Sequence, residues 1–230
     1  GHLLGHVRDI GANSGDMNVR IYQTAERQSF HTDSCDVVGL LCLKDAAEGG
    51  RSLLVSAVTI FNEMLCRRPD LLPYLFEPLA TDRRGEVDRG QKPYFQIPVF
   101  NWHEGHLTSI YQRQYIDSAQ RFKAAPRLTP RHVEALDMYD DLANDPRLHL
   151  SMRLAPGDMQ FVYNHALLHD RTGFRDHAEP AERRHLLRLW LSCPGDRPLP
   201  DCFAERFGGT AIGDRGGVLV PGARPHAPLD

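Results

Sequence analysis

The hydrophobic and polar positions of the chain form mostly short runs of the kind found in β-strands. Residues 19–24 alternate between polar and β-branched side chains, and residues 36–43 form a nearly continuous apolar run, as in a buried strand. Similar patterns predict further strands at residues 52–56, 94–100, 107–111, 159–163 and 184–192. The chain is therefore predicted to be mainly β.

Two longer segments have the apolar spacing of helices. Ser56 is a typical N-cap residue in front of the helical pattern of residues 57–66. Thr129 and Pro130 place an N-cap and an N1 proline before a second helix that reaches about residue 143. Many strands with two inserted helices predict a β-sandwich or barrel that has helices packed outside it.

Composition agrees with one globular domain over residues 1–230. The chain has 41% hydrophobic and 25% charged residues, with a net charge of -3. This balance excludes disordered and collagen-like classes, and it gives no electrostatic reason to expect nucleic acid or a membrane surface as a partner. Residues 194–230 are rich in glycine and proline, and we predict a surface tail there.

The cysteines and the opening residues bear on the compartment. The five cysteines are odd in number and contain no C-x-x-C pair, which favours a reduced, cytoplasmic protein. Residues 1–15 are polar and glycine-rich, unlike a signal peptide. No apolar run approaches the roughly 18 residues that a membrane helix needs.

Twelve histidines make a metal site worth searching for. The pattern H-x-[DE] occurs at His31/Asp33, His132/Glu134 and His177/Glu179. The second pair falls in a predicted helix, where side chains two residues apart point about 200° away from each other. The third pair lies in a polar, loop-like stretch. Only His31 and Asp33 stand at a strand end, where both side chains project to the same side and can reach one ion.

A third ligand would complete a set of two histidines and one carboxylate, which is diagnostic of non-heme Fe(II) oxygenases. The residue pattern leaves His165, His169 and His177 as candidates for it. His165 and His169 form H-x-x-x-H, but Ala166 stands where a zinc protease has glutamate. Cys35 continues the side-chain series of His31 and Asp33, although a buried small hydrophobe is the more common role of a free cysteine.

Four motifs follow one another along the chain, namely Phe30-His31-Thr32-Asp33, Glu48-Gly49-Gly50-Arg51-Ser52, Leu168-His169-Asp170-Arg171 and Arg183-Arg184-His185-Leu186-Leu187-Arg188. From about residue 22 to residue 192, this ordered set resembles the taurine dioxygenase family of Fe(II)/2-oxoglutarate oxygenases, which includes γ-butyrobetaine hydroxylase. The resemblance implies a double-stranded β-helix, or jelly roll, with flanking helices. It also implies Fe(II) as cofactor, and 2-oxoglutarate and O2 as cosubstrates.

The resemblance also assigns roles to residues. It implies that His31, Asp33 and His169 are the catalytic metal ligands. It implies that Arg184 holds the distal carboxylate of 2-oxoglutarate, with Ser52 in the position where the family often has a threonine.

Further residues are candidates for the substrate site. Arg188 stands where some family members bind an anionic group of the substrate, and it shares a strand face with Arg184. Arg113 and Tyr115 are weaker candidates, because residues 111–122 read by default as a polar connecting segment.

The chemistry that the resemblance implies is hydroxylation of an unactivated C–H bond in a small anionic or zwitterionic molecule, with 2-oxoglutarate converted to succinate and CO2. One alternative is a catalytically silent jelly-roll binding module with a vestigial metal site, which the short stretch before His31 supports, because family members usually have more residues there. A zinc hydrolase would use the same three ligands but give Arg184 no role. We expect a small-molecule substrate and no nucleic-acid or membrane partner, and a homo-oligomer stays open.

Overall fold

The computed structural model describes residues 3–12, 20–87, 90–217, 224, 226 and 227. Along these residues the strands are β1 (Gly5–Val7), β2 (Gln28–His31), β3 (Val37–Lys44), β4 (Glu48–Gly49), β5 (Ser52–Ser56), β6 (Leu79–Asp82), β7 (Tyr94–Ile97), β8 (Phe100–His103), β9 (His106–Ser109), β10 (His149–Met152), β11 (Met159–Tyr163), β12 (Leu167–Arg171), β13 (Phe174–Arg175) and β14 (His185–Leu191). The helices are α1 (Ala57–Arg67), α2 (Leu72–Leu75), α3 (Arg113–Ala119), α4 (Pro130–Asn144) and α5 (Ala204–Phe207).

Eight strands form two four-stranded antiparallel sheets. The first sheet has the order β1-β14-β3-β11, and the second has the order β10-β5-β12-β2. Along the chain the path passes repeatedly from one sheet to the other, which is the topology of a jelly roll, or double-stranded β-helix. The predicted fold class is thus confirmed, and β4, β13 and the hairpins β6-β7 and β8-β9 lie outside the two sheets.

Helices α1 and α4 pack on the second sheet and complete the largest apolar cluster. Ile60 of α1 and Leu136 of α4 are fully buried there, together with Leu168 of β12. The predicted caps are present, since Ser56 accepts a hydrogen bond from the Thr59 backbone and Thr129 forms a capping box at the start of α4.

The hydrophobic pattern of the sequence does not predict all of the short elements correctly. Residues 21–23 form a 3-10 helix and not part of the strand predicted at residues 19–24, of which residue 19 lies outside the described residues. The strand predicted at residues 94–100 is two strands separated at Pro98, which has no N–H for a ladder. No strand was predicted at β1, β10 or β12.

Part of the segment predicted as a surface tail is buried. Leu199, Phe203 and Phe207 are buried, and they pack against Phe95 and Ile97 of β7. Their spacing of four residues is helical, and it was overlooked among the glycines and prolines. No helix among the described residues is both long and apolar enough to cross a membrane.

Candidate metal centre and its two cavities

The candidate metal centre lies where β2 and β12 run side by side in the second sheet. His31 and His169 are directly opposite each other in the ladder, with ring centroids 4.1 Å apart. Asp33 follows the end of β2, and its carboxylate oxygens lie 3.8 Å from His31 Nε2 and 3.7 Å from His169 Nε2. Strand pairing therefore brings together two imidazoles and one carboxylate whose donor atoms all lie within 4.8 Å of one another.

Neighbouring groups orient Asp33 and His31. Trp190 Nε1 donates to Asp33 Oδ2 at 2.9 Å, and the Asp33 backbone N–H donates to Asn164 Oδ1 at 3.1 Å. His31 Nδ1 lies 2.8 Å from the Ser29 carbonyl oxygen, so it carries the proton and leaves Nε2 as the electron-pair donor. Hydrogen bonds of this kind orient ligands around a metal.

Electrostatics favours the ligand forms of these groups. Burial, together with the nearby His31, lowers the pKa of His169 to about 3, so this imidazole is neutral at physiological pH. Burial alone would raise the pKa of Asp33, but Arg188, the two histidines and the Trp190 hydrogen bond outweigh it and lower the pKa. A neutral imidazole donor and an ionised carboxylate fit a divalent transition metal such as Fe(II).

Of the three candidate third ligands, the structure places His169 beside His31 and Asp33. His177 is exposed, and His165 Nε2 instead bonds to Asp36 Oδ1 at 2.8 Å. Asp36, His165 and Asp196 also lie close together, but Arg215 forms ion pairs with both carboxylates and occupies the space that a cation would need. Cys35 is buried among apolar side chains, as expected.

A small cavity of about 40 Å³ adjoins His169 and contains two buried arginines. Arg184 and Arg171 are only 5% and 7% exposed, and both guanidinium groups lie over the ring of Phe174. Burial and then the charge of Arg184 lower the pKa of Arg171 to about 10, and burial lowers the pKa of Arg184. Among the described residues no carboxylate forms an ion pair with either arginine, so the cavity favours a bound anion.

The second motif contributes to the wall of this small cavity. Ser52 lies within it and donates its hydroxyl proton to Gln160 Oε1 at 2.7 Å. Gly50 has φ +63°, and a Cβ there would lie 3.1 Å from Arg184 Nε. Glycine at this position therefore leaves room for the arginine side chain.

A larger cavity, of about 180 Å³, lies on the Asp33 side of the metal centre. Its apolar wall is formed by Phe95, Ile97, Val99, Ile110 and Ile116, and its polar wall includes Arg20, Glu86, Tyr115, Arg188 and Arg206. The two cavities share His31 and Arg188, so the metal centre lies between them.

The predicted substrate residues divide into two groups. Arg188 lines both cavities, with Nη1 3.8 Å from Asp33 Oδ2, and Tyr115 lines the larger cavity. Arg113 is not among the residues lining either cavity; it forms ion pairs with Asp117, Asp137 and Asp140 that tie α3 to α4. The structure therefore does not place Arg113 at either cavity, because its guanidinium group is held by carboxylates of α3 and α4.

Sequence reasoning missed several residues of the site. Trp190 lies two positions after Arg188 on β14, so period-two spacing would have placed it on the same face. Arg171 lies two positions after His169 on β12, and the same rule would have found it. No motif or spacing in the sequence around Arg20 or Arg206 indicates that either residue belongs to the site.

A jelly roll that holds two histidines and one carboxylate beside an anion cavity has the arrangement of a non-heme iron oxygenase. The model of the Taurine catabolism dioxygenase TauD, TfdA family matches residues 2–190, and the chain belongs to this family. FR-33289 synthase of Streptomyces rubellomurinus is 36% identical over 211 residues, which are 88% of this chain and 61% of that protein. A uridine-5'-phosphate dioxygenase of an Amycolatopsis species is 30% identical over 182 residues, which are 75% and 64% of the two chains. The chain thus spans less than two thirds of either relative.

Solved structures show the same fold at low identity. An asparagine oxygenase in complex with Fe(II), 3-hydroxyasparagine and succinate has a TM-score of 0.63 at 19% identity, over 82% of this chain and 56% of that one. The non-heme iron oxygenase OrfP with Fe and α-ketoglutaric acid has a TM-score of 0.60 at 16% identity, over 83% and 56%. These neighbours support the jelly-roll assignment.

Proposed function

We propose that this chain is an Fe(II)- and 2-oxoglutarate-dependent oxygenase that hydroxylates an unactivated C–H bond of a small anionic or zwitterionic molecule, with release of succinate and CO2. The observation that carries the proposal is a two-histidine, one-carboxylate centre between two cavities, of which the smaller contains buried arginines without ion-pair partners among the described residues. Relatives with dioxygenase names and neighbours that contain iron and α-ketoglutaric acid support it.

In this proposal His31, Asp33 and His169 hold Fe(II). When bound, the iron would supply the activation of O2 that no side chain of the protein can provide. The protein would orient the ligands through Trp190 and Asn164, and the apolar wall of the larger cavity would exclude water from the reacting carbon.

The smaller cavity would bind the distal carboxylate of 2-oxoglutarate. Arg184 is suited to this because a guanidinium group donates two parallel hydrogen bonds to a carboxylate. Arg171 and Ser52 lie in the same cavity and would add positive charge and a hydroxyl group. Arg188 would contact an anionic group of the substrate, and Tyr115 would line the larger cavity in which the substrate binds.

Binding of metal and 2-oxoglutarate tests the proposal directly. Under anaerobic conditions, Fe(II) and 2-oxoglutarate should give the visible absorption band of their complex in the wild-type chain. His31→Ala, Asp33→Ala and His169→Ala should each lose the band, because two ligands hold a labile metal poorly. His177→Ala is the matched control, since His177 is exposed, and it should keep the band. A band that persists in His169→Ala would contradict the ligand assignment.

Turnover separates the oxygenase from the two alternatives. Small amino acids, betaines, sulfonates and aryloxy acids should be screened for release of succinate that depends on both substrate and O2. Neither a silent binding module nor a zinc hydrolase would release succinate from 2-oxoglutarate in this way. We also propose a reducing, cytoplasmic location, because all five cysteines are free in the structure.

A further inference from the structure

Two arginines converge on a single carboxylate in the larger cavity. Arg206 Nη1 lies 3.1 Å from Glu86 Oε2, and Arg20 forms an ion pair with Glu86 Oε1. The two arginine side chains are 17% and 16% exposed, whereas Glu86 is 37% exposed. The positive groups are therefore the more buried part of this cluster, and the carboxylate lies on its outer side.

Other contacts hold the two arginines without help from Glu86. Arg206 Nε donates to Ser34 Oγ at 2.7 Å, one residue after Asp33. Arg20 donates to the hydroxyl group of Tyr115. Movement of Glu86 into solvent would thus leave two guanidinium groups already oriented, which is the condition for strong binding of an anion.

Charge and shape indicate which anion would fit. Without Glu86, Arg20 and Arg206 present two positive charges, which match the charge of -1.5 to -2 of a phosphate group near pH 7. Glu86 offers one oxygen to each arginine, whereas a tetrahedral group has three oxygens that accept hydrogen bonds from both. Apolar side chains also line the cavity, and they suit the carbon body of such a molecule.

We propose that Arg20 and Arg206 bind a phosphate or phosphonate group of the substrate, and that Glu86 occupies this subsite when no substrate is bound. The inference rests on the proposed function for its link to catalysis. The subsite itself can be tested without iron or turnover. It makes Arg20 and Arg206 specificity-determining residues, and it makes Glu86 a competitor of the substrate.

The test is isothermal titration calorimetry of the metal-free full chain with inorganic phosphate, methylphosphonate and acetate at constant ionic strength. Phosphate and methylphosphonate should bind more tightly than acetate. Arg206→Ala and Arg20→Ala should each weaken phosphate binding about tenfold or more, because they remove a charge-assisted contact. Glu86→Gln should tighten binding severalfold, a gain that misfolding cannot produce. Arg183→Ala, at an exposed arginine, should change nothing.

Three results would overturn the proposal: no phosphate binding by the wild-type chain, equal binding of acetate, or weaker binding by Glu86→Gln. A loss in Arg184→Ala with no loss in Arg20→Ala or Arg206→Ala would likewise overturn it, by placing the anion in the smaller cavity. The Fe(II)–2-oxoglutarate band should stay normal in Arg206→Ala. If the wild-type chain gives no such band, the oxygenase proposal is refuted, whatever the phosphate result.

Discussion

At the scale of single residues, the smaller cavity depends on buried arginines that form no ion pair with a carboxylate among the described residues. Arg184 and its sequence neighbour Arg183 are chemically identical, but one is buried in the smaller cavity and the other is exposed. This pair therefore separates the effect of a charge in the cavity from the effect of net charge on the molecule.

We predict that Arg184→Ala raises the dissociation constant of 2-oxoglutarate by about thirtyfold or more, because loss of a buried charge-assisted contact costs about 2–5 kcal/mol. Arg184→Lys should also weaken binding, since an ammonium group cannot form the bidentate contact. Titration of the Fe(II)–2-oxoglutarate absorption band measures both, with Arg183→Ala as control.

Arg188→Ala should retain most of the affinity for 2-oxoglutarate and lose coupling to the substrate, so that slow succinate release continues without product. A collapse of 2-oxoglutarate affinity only in Arg188→Ala would show that the roles of Arg184 and Arg188 are reversed.

Trp190 provides a third prediction at this scale. Trp190→Phe keeps an aromatic ring but removes the N–H that donates to Asp33 Oδ2. Fe(II) affinity should fall by about tenfold or more, as is typical when a partner of a metal ligand is lost. Trp102→Phe is the matched control, because Trp102 is 63% exposed. Equal Fe(II) affinity in the two variants would exclude a role for Trp190 in orienting the carboxylate.

At the scale of elements, the short β4-β13 pair shows how turn geometry supports the smaller cavity. Gly49 has φ +75° and lies opposite Phe174 in the pair. Phe174 in turn lies beneath the guanidinium groups of Arg171 and Arg184. A change in this small ribbon should therefore reach the anion cavity.

We predict that Gly49→Ala destabilises the chain and weakens 2-oxoglutarate binding. The new Cβ would overlap the Gly173 carbonyl oxygen, in addition to the cost of about 1 kcal/mol or more for a positive φ. Gly157→Ala is the control, because Gly157 has φ +94° and nothing lies within 4 Å of its added Cβ. Chemical denaturation should show a larger loss for Gly49→Ala, and only that variant should lose affinity for 2-oxoglutarate.

At the scale of the whole molecule, the C-terminal part of the described chain fastens the loop that carries Asp33. Gly217 N–H donates to the Ser34 carbonyl oxygen at 2.8 Å. Arg215 Nε donates to Asp36 Oδ1 at 2.8 Å, and both side chains are fully buried. Removing Arg215 would leave a buried carboxylate without its cation, which typically costs about 3–5 kcal/mol.

This buried pair predicts an acid-dependent stability. Burial alone would raise the pKa of Asp36, but hydrogen bonds from His165, the Cys193 backbone and Arg215 outweigh it and lower the pKa to about 2. Because the pKa of an unfolded aspartate is about 3.9, this stabilisation is complete above about pH 4 and is lost as the pH falls towards 2. Urea denaturation from pH 6 to pH 2 should show the loss. Asp36→Asn should be less stable at pH 6, and its free energy of unfolding should change less between pH 6 and pH 2. An identical slope in Asp36→Asn would contradict the assignment.

Elements that arise from local residue patterns, and motifs with a characteristic spacing of ligand residues, could be predicted from the chain alone. Met159–Tyr163 and Ser52–Ser56 are strands as predicted, and the N-caps Ser56 and Thr129 stand where the chain needs them. His31 and Asp33 could be paired because two residues at a strand end face one side.

The contacts between residues far apart in the chain could not be predicted in this way. His169 lies beside His31 because β12 and β2 pair in register, and His165 turns to Asp36 instead, although both histidines stand in one motif. Arg20 and Arg206 come together on Glu86 from segments far apart in the chain. Such contacts leave no periodic trace in the sequence, because they depend on how the sheets, loops and C-terminal segment pack.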